Sequence, residues 1–270
     1  MSGPDPYEVF AIRYAASPYR LRLHNCLFCH KGDVHDAPMP MDFYVWVIRN
    51  AHRTVVVDTG SKEWKCVQRG HEFIRCPVAG LEAIGVDPQR VDDVIITHLH
   101  WDHAGNIDRF PNATIHLQNA EMQSVVSQSM ADPTINNFFL VDDVCTVVQR
   151  LFAGAVRFHH ASKEIAPGLS LHEVGGHSVG MQIVRVYTAR GWVVLASDAS
   201  HYYLNITERN PFPALYNFND MVKAWDTCRA LADSPDHIVP GHDPLVLRRY
   251  PAVSSSLEGD VVRLDRSPIA

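Results

Sequence analysis

The sequence predicts an α/β (α+β) chain in which sheets are covered by helices. Three observations carry that reading. Short β-branched and aromatic runs recur along most of the length, several pair across turns as hairpins, and stretches of helical spacing stand between the others. With 270 residues, 46% hydrophobic and 20% charged, the chain can bury a full core. It fits one large domain over 1–270, or at most one domain with an inserted cap.

Composition excludes several functions. A net charge of -6 and a pI near 6.2 give no basic footprint, which disfavours nucleic acid as a partner. No apolar run approaches the length of a membrane span. The start, Met1-Ser2-Gly3-Pro4-Asp5-Pro6, lacks a basic stretch followed by an apolar core, so no signal peptide and a cytoplasmic location are expected. Six cysteines show no regular framework and read as free thiols in a reducing compartment. Cys26-Leu27-Phe28-Cys29-His30 matches the pattern of covalent haem attachment, but that chemistry belongs to exported chains. Two small buried thiols near a mobile loop are the better reading.

In chain order, Glu8 to Tyr14 has strand character and leads into a loop-rich stretch ending near Pro40. Phe43 to Ile48 and Thr54 to Val57 form a hairpin pattern, and the second run ends in Asp58-Thr59-Gly60. Pro77 to Gly85 reads as a short helix, Val91 to Thr97 as a strand, Thr114 to Gln118 as another, and Asn119 to about Met130 as a helix. Much of 132–156 should be helical, and as an apolar segment between two ligand-bearing stretches it is a candidate substrate wall. Met181 to Tyr187 and Trp192 to Ser197 read as strands. Asn219 to Asp233 reads as an amphipathic helix burying Met221, Val222, Trp225, Cys228 and Leu231, and Ser254 onward as a polar tail.

The chemistry lies in Thr97-His98-Leu99-His100-Trp101-Asp102-His103-Ala104-Gly105, which puts three histidines and an aspartate within six residues directly after an apolar strand. Alternate residues leave a strand on the same side, so His98 and His100 can aim at one point while Asp102 and His103 face a second nearby. Two adjacent metal ions follow. Asp58, at a neighbouring strand end, is expected to orient a ligand histidine from behind. Gly176-His177-Ser178-Val179-Gly180 fits the serine-hydrolase elbow literally, but a strand rather than a helix follows it. Ser178 is therefore not a nucleophile, and His177 is a metal ligand. Asp198 and His242 end two further strand-to-turn segments and complete the candidate donor set.

Taken together, the Thr97–Gly105 motif, Gly176-His177, Asp198 and Gly241-His242, with Val57-Asp58-Thr59-Gly60 ahead of them, resemble the metallo-β-lactamase superfamily from about residue 40 to 245. The resemblance implies an αββα sandwich, two mixed sheets with helices on the outer faces and the metals at one edge. It implies that His98, His100 and His177 hold the first ion, that Asp102, His103 and His242 hold the second, and that Asp198 bridges them. Redox di-iron members usually carry Glu in place of His100, and many true β-lactamases carry Cys in place of Asp198. The size and the ligand set followed by Asp198-Ala199-Ser200 are most similar to the N-acyl homoserine lactonase group. Those lactonases often have a tyrosine, bonded to the substrate carbonyl, where this chain has His201. Either His201 donates a similar bond, or neighbouring Tyr202 or Tyr203 substitutes.

An imidazole and carboxylate donor set suits Zn(II), with Mn, Fe or Co feasible. Two such ions lower the pKa of a shared water from about 15.7 towards about 7 and so supply hydroxide for attack on a lactone carbonyl. Asp102 or Asp198 can pass a proton to the leaving oxygen. Met39, Met41, Phe138, Phe139, Phe212 and Leu215 are candidates for holding an acyl chain. The expected reaction is lactone ring opening on a small-molecule substrate, and homodimerisation is left open. The alternatives are hydrolysis of another cyclic ester, thioester or amide, or a mononuclear iron persulfide dioxygenase.

Overall fold

The structure is a computed structural model describing residues 3–28 and 32–269. Among the described residues, two sheets hold all the strands. In chain order β1 (Glu8–Ser17), β2 (Met41–Arg49), β3 (Thr54–Val57), β4 (Glu72–Phe73), β5 (Asp93–Ile95), β6 (Thr114–Gln118) and β7 (Val156–His159) belong to the first sheet. The second sheet takes β8 (Ser162–Ala166), β9 (Leu169–Glu173), β10 (Gln182–Thr188), β11 (Gly191–Ser197) and β12 (Ile238–Pro240), and β13 (Val261–Arg263) returns to the first. The first sheet runs in the order β13-β1-β2-β3-β5-β6-β7, with β4 also paired to β1. It is antiparallel from β13 to β3 and parallel from β3 to β7. The second runs β12-β11-β10-β9-β8, parallel only between β11 and β12.

The sheets pack face to face with helices outside both. Tyr44, Trp46, Ile48, Val55 and Val57 meet Leu171, Val184, Val186, Val193 and Leu195 between the sheets. The opposite face of the first sheet presents Phe10, Ile12, Val45, Val47 and Val94 to its helical cover, where Cys66 of α1 (Glu63–Gln68) and Val78 and Leu81 of α2 (Pro77–Glu82) are buried. Met122 and Val125 of α3 (Asn119–Val125) lie in the same cluster; α4 (Pro133–Asn136) follows, and α5 (Val141–Phe152) adds Val147. Strand β2 is buried on both faces, which is why it reads as a continuous apolar run. The second sheet's outer face is covered by α6 (Tyr203–Thr207) and α7 (Phe218–Leu231). Met221, Trp225 and Cys228 of α7 bury there, with Val222 and Leu231 packed more loosely. Finally α8 (Leu245–Arg249) sends Val246 into the inter-sheet core. The architecture is αββα, as the resemblance implies.

Two expectations change, and a third falls partly outside the described residues. The helix expected from Asn119 to about Met130 stops at Val125 and gives way to a 3-10 turn, Gln128–Ala131, capped by the Ser127 hydroxyl. The polar tail contains β13, which pairs with β1 and buries Val261, Val262 and Leu264, while Asp265 accepts a bond from the Val9 amide. Three residues are too few to show a strand period, so pairing alone revealed it. Of the cysteine pair, Cys26 is buried, and Cys29 and His30 lie outside the described residues.

Candidate metal centre

Four strand ends converge at one edge of the two sheets. The loop after β5 carries His98, His100, Asp102 and His103; the β9–β10 turn carries His177; Asp198 follows β11 and His242 follows β12. All seven side chains are buried, and their donor atoms fall into overlapping groups: His98, His100 and His177; His98, His103 and Asp198; Asp102, His103 and His242; a fourth group joins His177 and Asp198 to His201. The two Asp198 oxygens face opposite ways. Oδ2 lies 3.2 Å from His177 Nε2 and 3.9 Å from His98 Nε2, whereas Oδ1 lies 3.0 Å from His242 Nε2 and 3.5 Å from His103 Nε2.

The far sides of four of the five rings are tied down. His103 Nδ1 donates to Asp58 Oδ2 at 2.7 Å, His177 Nδ1 to the Ala214 carbonyl at 2.6 Å, and His242 Nδ1 to the Asp42 carbonyl at 2.8 Å. The Thr97 hydroxyl gives its proton to Asp58 Oδ2 and therefore accepts from His98 Nδ1, 3.1 Å away. Each of these rings is thus held as the tautomer whose Nε2 lone pair points inward. His100 is reversed, with Nδ1 placed 2.9 Å from His177 Nε2. His98 Nε2, His103 Nε2 and Asp198 Oδ1 are buried without hydrogen-bond partners. Converging lone pairs and buried orphan donor atoms of N/O type fit divalent metal binding.

The metallo-β-lactamase superfamily matches residues 44–242. The N-acyl homoserine lactonase AttM of Rhizobium johnstonii is 32% identical over 240 residues, covering 83% of this chain and 89% of the relative. Its namesake from Azorhizobium caulinodans is 25% identical over 250 residues, with the same two coverages of 83% and 89%. A crystal structure of a quorum-quenching N-acyl homoserine lactone lactonase shares the fold, with a TM-score of 0.73 and 19% identity over 90% of this chain and 94% of that one.

This chain belongs to the metallo-β-lactamase superfamily.

As a member of that hydrolase family, it braces its donor loops with residues that the motif does not reveal. Asp58, anticipated as a support, accepts from the Thr97 amide as well as from Thr97 Oγ1 and His103. Its own φ of 58° places it in the left-handed region, where Asp is tolerated. Glu121 and Gln182 were not anticipated. Glu121, fully buried on α3, accepts from the Leu99 amide at 2.9 Å, from Ser178 Oγ at 2.8 Å and from the Gly180 amide at 2.9 Å, and so joins two donor loops. Gln182 donates to the Ile96 carbonyl, and its own amide N–H bonds the Thr97 carbonyl. The signal for Glu121 was a carboxylate one residue before Met122 on the apolar face of a short helix. Ser178 donates to Glu121 and precedes a strand, as a serine without a nucleophilic role should. Gly241 carries no Cβ because one would lie 2.7 Å from Asp198 Oδ1.

Charge follows from burial and neighbours. Burial alone would raise the Asp198 carboxyl, but the facing His242, His103 and His201 rings hold it well below the usual range. Burial and crowding by His103, His100 and His177 push His98 well down. His103 goes up despite its burial, because Asp198, Asp102 and Asp58 surround it.

A cavity of about 600 Å³ opens beside His100 and His177, with Met130, Ile135, Phe138, Phe139, Leu215 and Tyr216 among its walls. Phe138 and Phe139 pack on His100 at ring-centroid distances of 5.2 and 4.8 Å, and the Phe138 carbonyl accepts from the Trp101 amide. Of the segment 132–156, residues 134–139 reach this cavity, while α5 turns away to pack Val147 in the core. Residues from 120 to 130 supply the rest of that side. Met39, Met41 and Phe212, named as candidates for acyl-chain contact but each read singly as core, do not line it: Met41 and Phe212 are buried in the core, and Met39 packs against it. His201 is also absent from the wall. Its ring stacks on Phe212 with centroids 3.4 Å apart, and its Nε2 sits 3.0 Å from Asp198 Oδ2.

Proposed function

We propose that residues 1–270 form one dinuclear metal-dependent hydrolase domain, cytoplasmic in location, that opens the ring of an N-acyl homoserine lactone or a close analogue. One observation carries the reading: Asp198 presents one oxygen towards His98 and His177 and the other towards His103 and His242, a bridging arrangement between two donor sets. In it, His98, His100 and His177 hold one ion, Asp102, His103 and His242 hold the other, and zinc is the ion that this donor set suits best. Bound there, the metals supply Lewis acidity and a water acidic enough to act at neutral pH.

The chain's own residues do the rest. The cavity takes the acyl chain against Phe138, Phe139 and Leu215 and leaves the ring carbonyl next to His100 and His177. Asp102 is the more exposed of the two carboxylates, 9% against 2% for Asp198, and so the better placed to take a proton from the attacking water and pass it to the leaving oxygen. Water adds across the ester bond, the ring oxygen leaves as an alkoxide and takes that proton, and the product is a hydroxy acid. The curated relatives named N-acyl homoserine lactonase support the substrate class.

Metal content per purified chain, measured beside pH-stat titration of short- and long-chain lactones, tests the proposal. Two zinc-like ions and chelator-sensitive ring opening are expected. One iron per chain with oxygen consumption and no ring opening would overturn it in favour of a dioxygenase.

A further inference from the structure

His201 stands where the resemblance to the N-acyl homoserine lactonase group implies a tyrosine bonded to the substrate carbonyl, and the chain offers an imidazole there. The geometry of that imidazole points elsewhere. His201 lies flat on Phe212, centroids 3.4 Å apart and planes within 7°, and it meets His177 and His242 edge-on at 5.5 and 4.8 Å. Its backbone is fixed too, since its carbonyl accepts from the His242 amide and the Ser200 carbonyl from the Gly241 amide. A ring held on three sides cannot swing towards the cavity. Its Nε2 is directed at Asp198 Oδ2, 3.0 Å away, and its Nδ1 is buried without a partner.

We propose that His201 is a positioning residue for the bridging carboxylate: its Nε2–H donates to Asp198 Oδ2, fixes the rotation of that carboxylate, and so keeps each oxygen turned to its own histidine set. The inference rests on the metal-centre reading above. Two features of the page favour a hydrogen bond over a substrate contact. Asp198 Oδ2 is already approached by His177 and His98, neither of which has a proton to give from Nε2, so His201 is the neighbour able to donate to it. With Nε2 carrying the proton, Nδ1 is left as an acceptor, and an acceptor cannot polarise a substrate carbonyl. The carbonyl therefore receives no side-chain donor from this position, and this chain differs in that respect from lactonases that carry the tyrosine.

The test compares His201→Leu, which removes the donor but keeps bulk against Phe212, with His201→Gln, whose side-chain amide can place an N–H where Nε2 stands. Zinc dissociation constants by chelator competition, ion stoichiometry, cobalt(II) absorption spectra and the split between KM and kcat are read on the full chain. The wild type is expected to hold two ions, His201→Leu to bind about 10- to 100-fold more weakly with kcat falling more than KM rises, and His201→Gln to stay within about threefold of wild-type affinity. Unchanged affinity in His201→Leu with only KM raised would make His201 a substrate contact and overturn the proposal. So would equal loss in both variants with a changed cobalt spectrum, which would make the imidazole a ligand. A wild-type chain that binds fewer than two ions fails differently, because it removes the metal centre itself. Melting temperatures of the metal-stripped variants show whether either substitution has unfolded the chain.

Discussion

Glu121 accepts three hydrogen bonds on one fully buried carboxylate, two of them from backbone amides of separate donor loops. Removing it leaves those amides without a partner and without water, at about 1–3 kcal/mol each. Glu121→Ala is therefore expected to lose about 3–5 kcal/mol in urea unfolding of the metal-stripped protein and to bind less than a full complement of metal. Glu121→Gln should lose less, because its amide oxygen still serves one loop while its NH₂ faces donors. Asp58 acts at one remove from the ions. Replacing it by Asn removes the charge that holds His103 Nδ1–H at 2.7 Å, and metal affinity is expected to drop about 10- to 100-fold in chelator competition while the fold is kept.

At the scale of elements, the centre is set by what lies behind the strand ends. The fully buried Trp225 of α7 donates its indole N–H to the Ala199 carbonyl at 2.7 Å, and so pins the turn that carries Asp198 and His201 to the helix outside the second sheet. Trp225→Phe keeps most of the packing and loses that bond, for an expected cost of about 1–3 kcal/mol, with metal binding weakened because the turn is freed. Around α4 the segment 134–139 folds back on the metal loop, where the Trp101 amide bonds the Phe138 carbonyl and the rings cover His100. Phe138→Ala should raise KM for long-chain lactones more than for short-chain ones and leave metal content unchanged, a pattern that a substrate series reads directly.

For the whole molecule, ions that bind only the folded chain stabilise it by mass action, so chelation is expected to lower the melting temperature, and restored zinc to return it in a concentration-dependent way. Away from the centre, stability also depends on pH through Asp143. Burial raises its carboxyl to about 6, and Lys62, with its ammonium 2.9 Å away, only partly offsets this. The Lys62 ammonium is itself raised by the same contact, and the burial of Asp143 decides the pair because Lys62 keeps about a third of its side chain in water. A folded-state pKa above the unfolded one means that the folded chain binds the proton more tightly. The stabilisation is full below about pH 4 and is lost as pH rises through about 6. The stability of Asp143→Asn relative to wild type should therefore rise between pH 4 and 7, as denaturant unfolding at stepped pH would show.

The sequence by itself determined the donor types, their order and the strand ends that deliver them. These are local properties: a β-branched run announces a strand, the turn after it announces an end, and His98-Leu-His100-Trp-Asp102-His103 carries its chemistry in its side chains. Its element pattern implied sheets covered by helices, and the resemblance of its motif set to the metallo-β-lactamase superfamily implied the αββα plan. Tertiary structure decided everything that depends on facing. Which way the two Asp198 oxygens turn, that Glu121 and Gln182 join loops some 60 positions apart or more, and that 134–139 rather than α5 meets the cavity all follow from packing between distant segments. The same holds for β13, which is a strand only because β1 is there to pair with it, and for His201. Its residue type allowed a bond to substrate, and the stacked Phe212 ring turned it to Asp198 instead, since an imidazole's direction is fixed by its neighbours and not by its place in the chain.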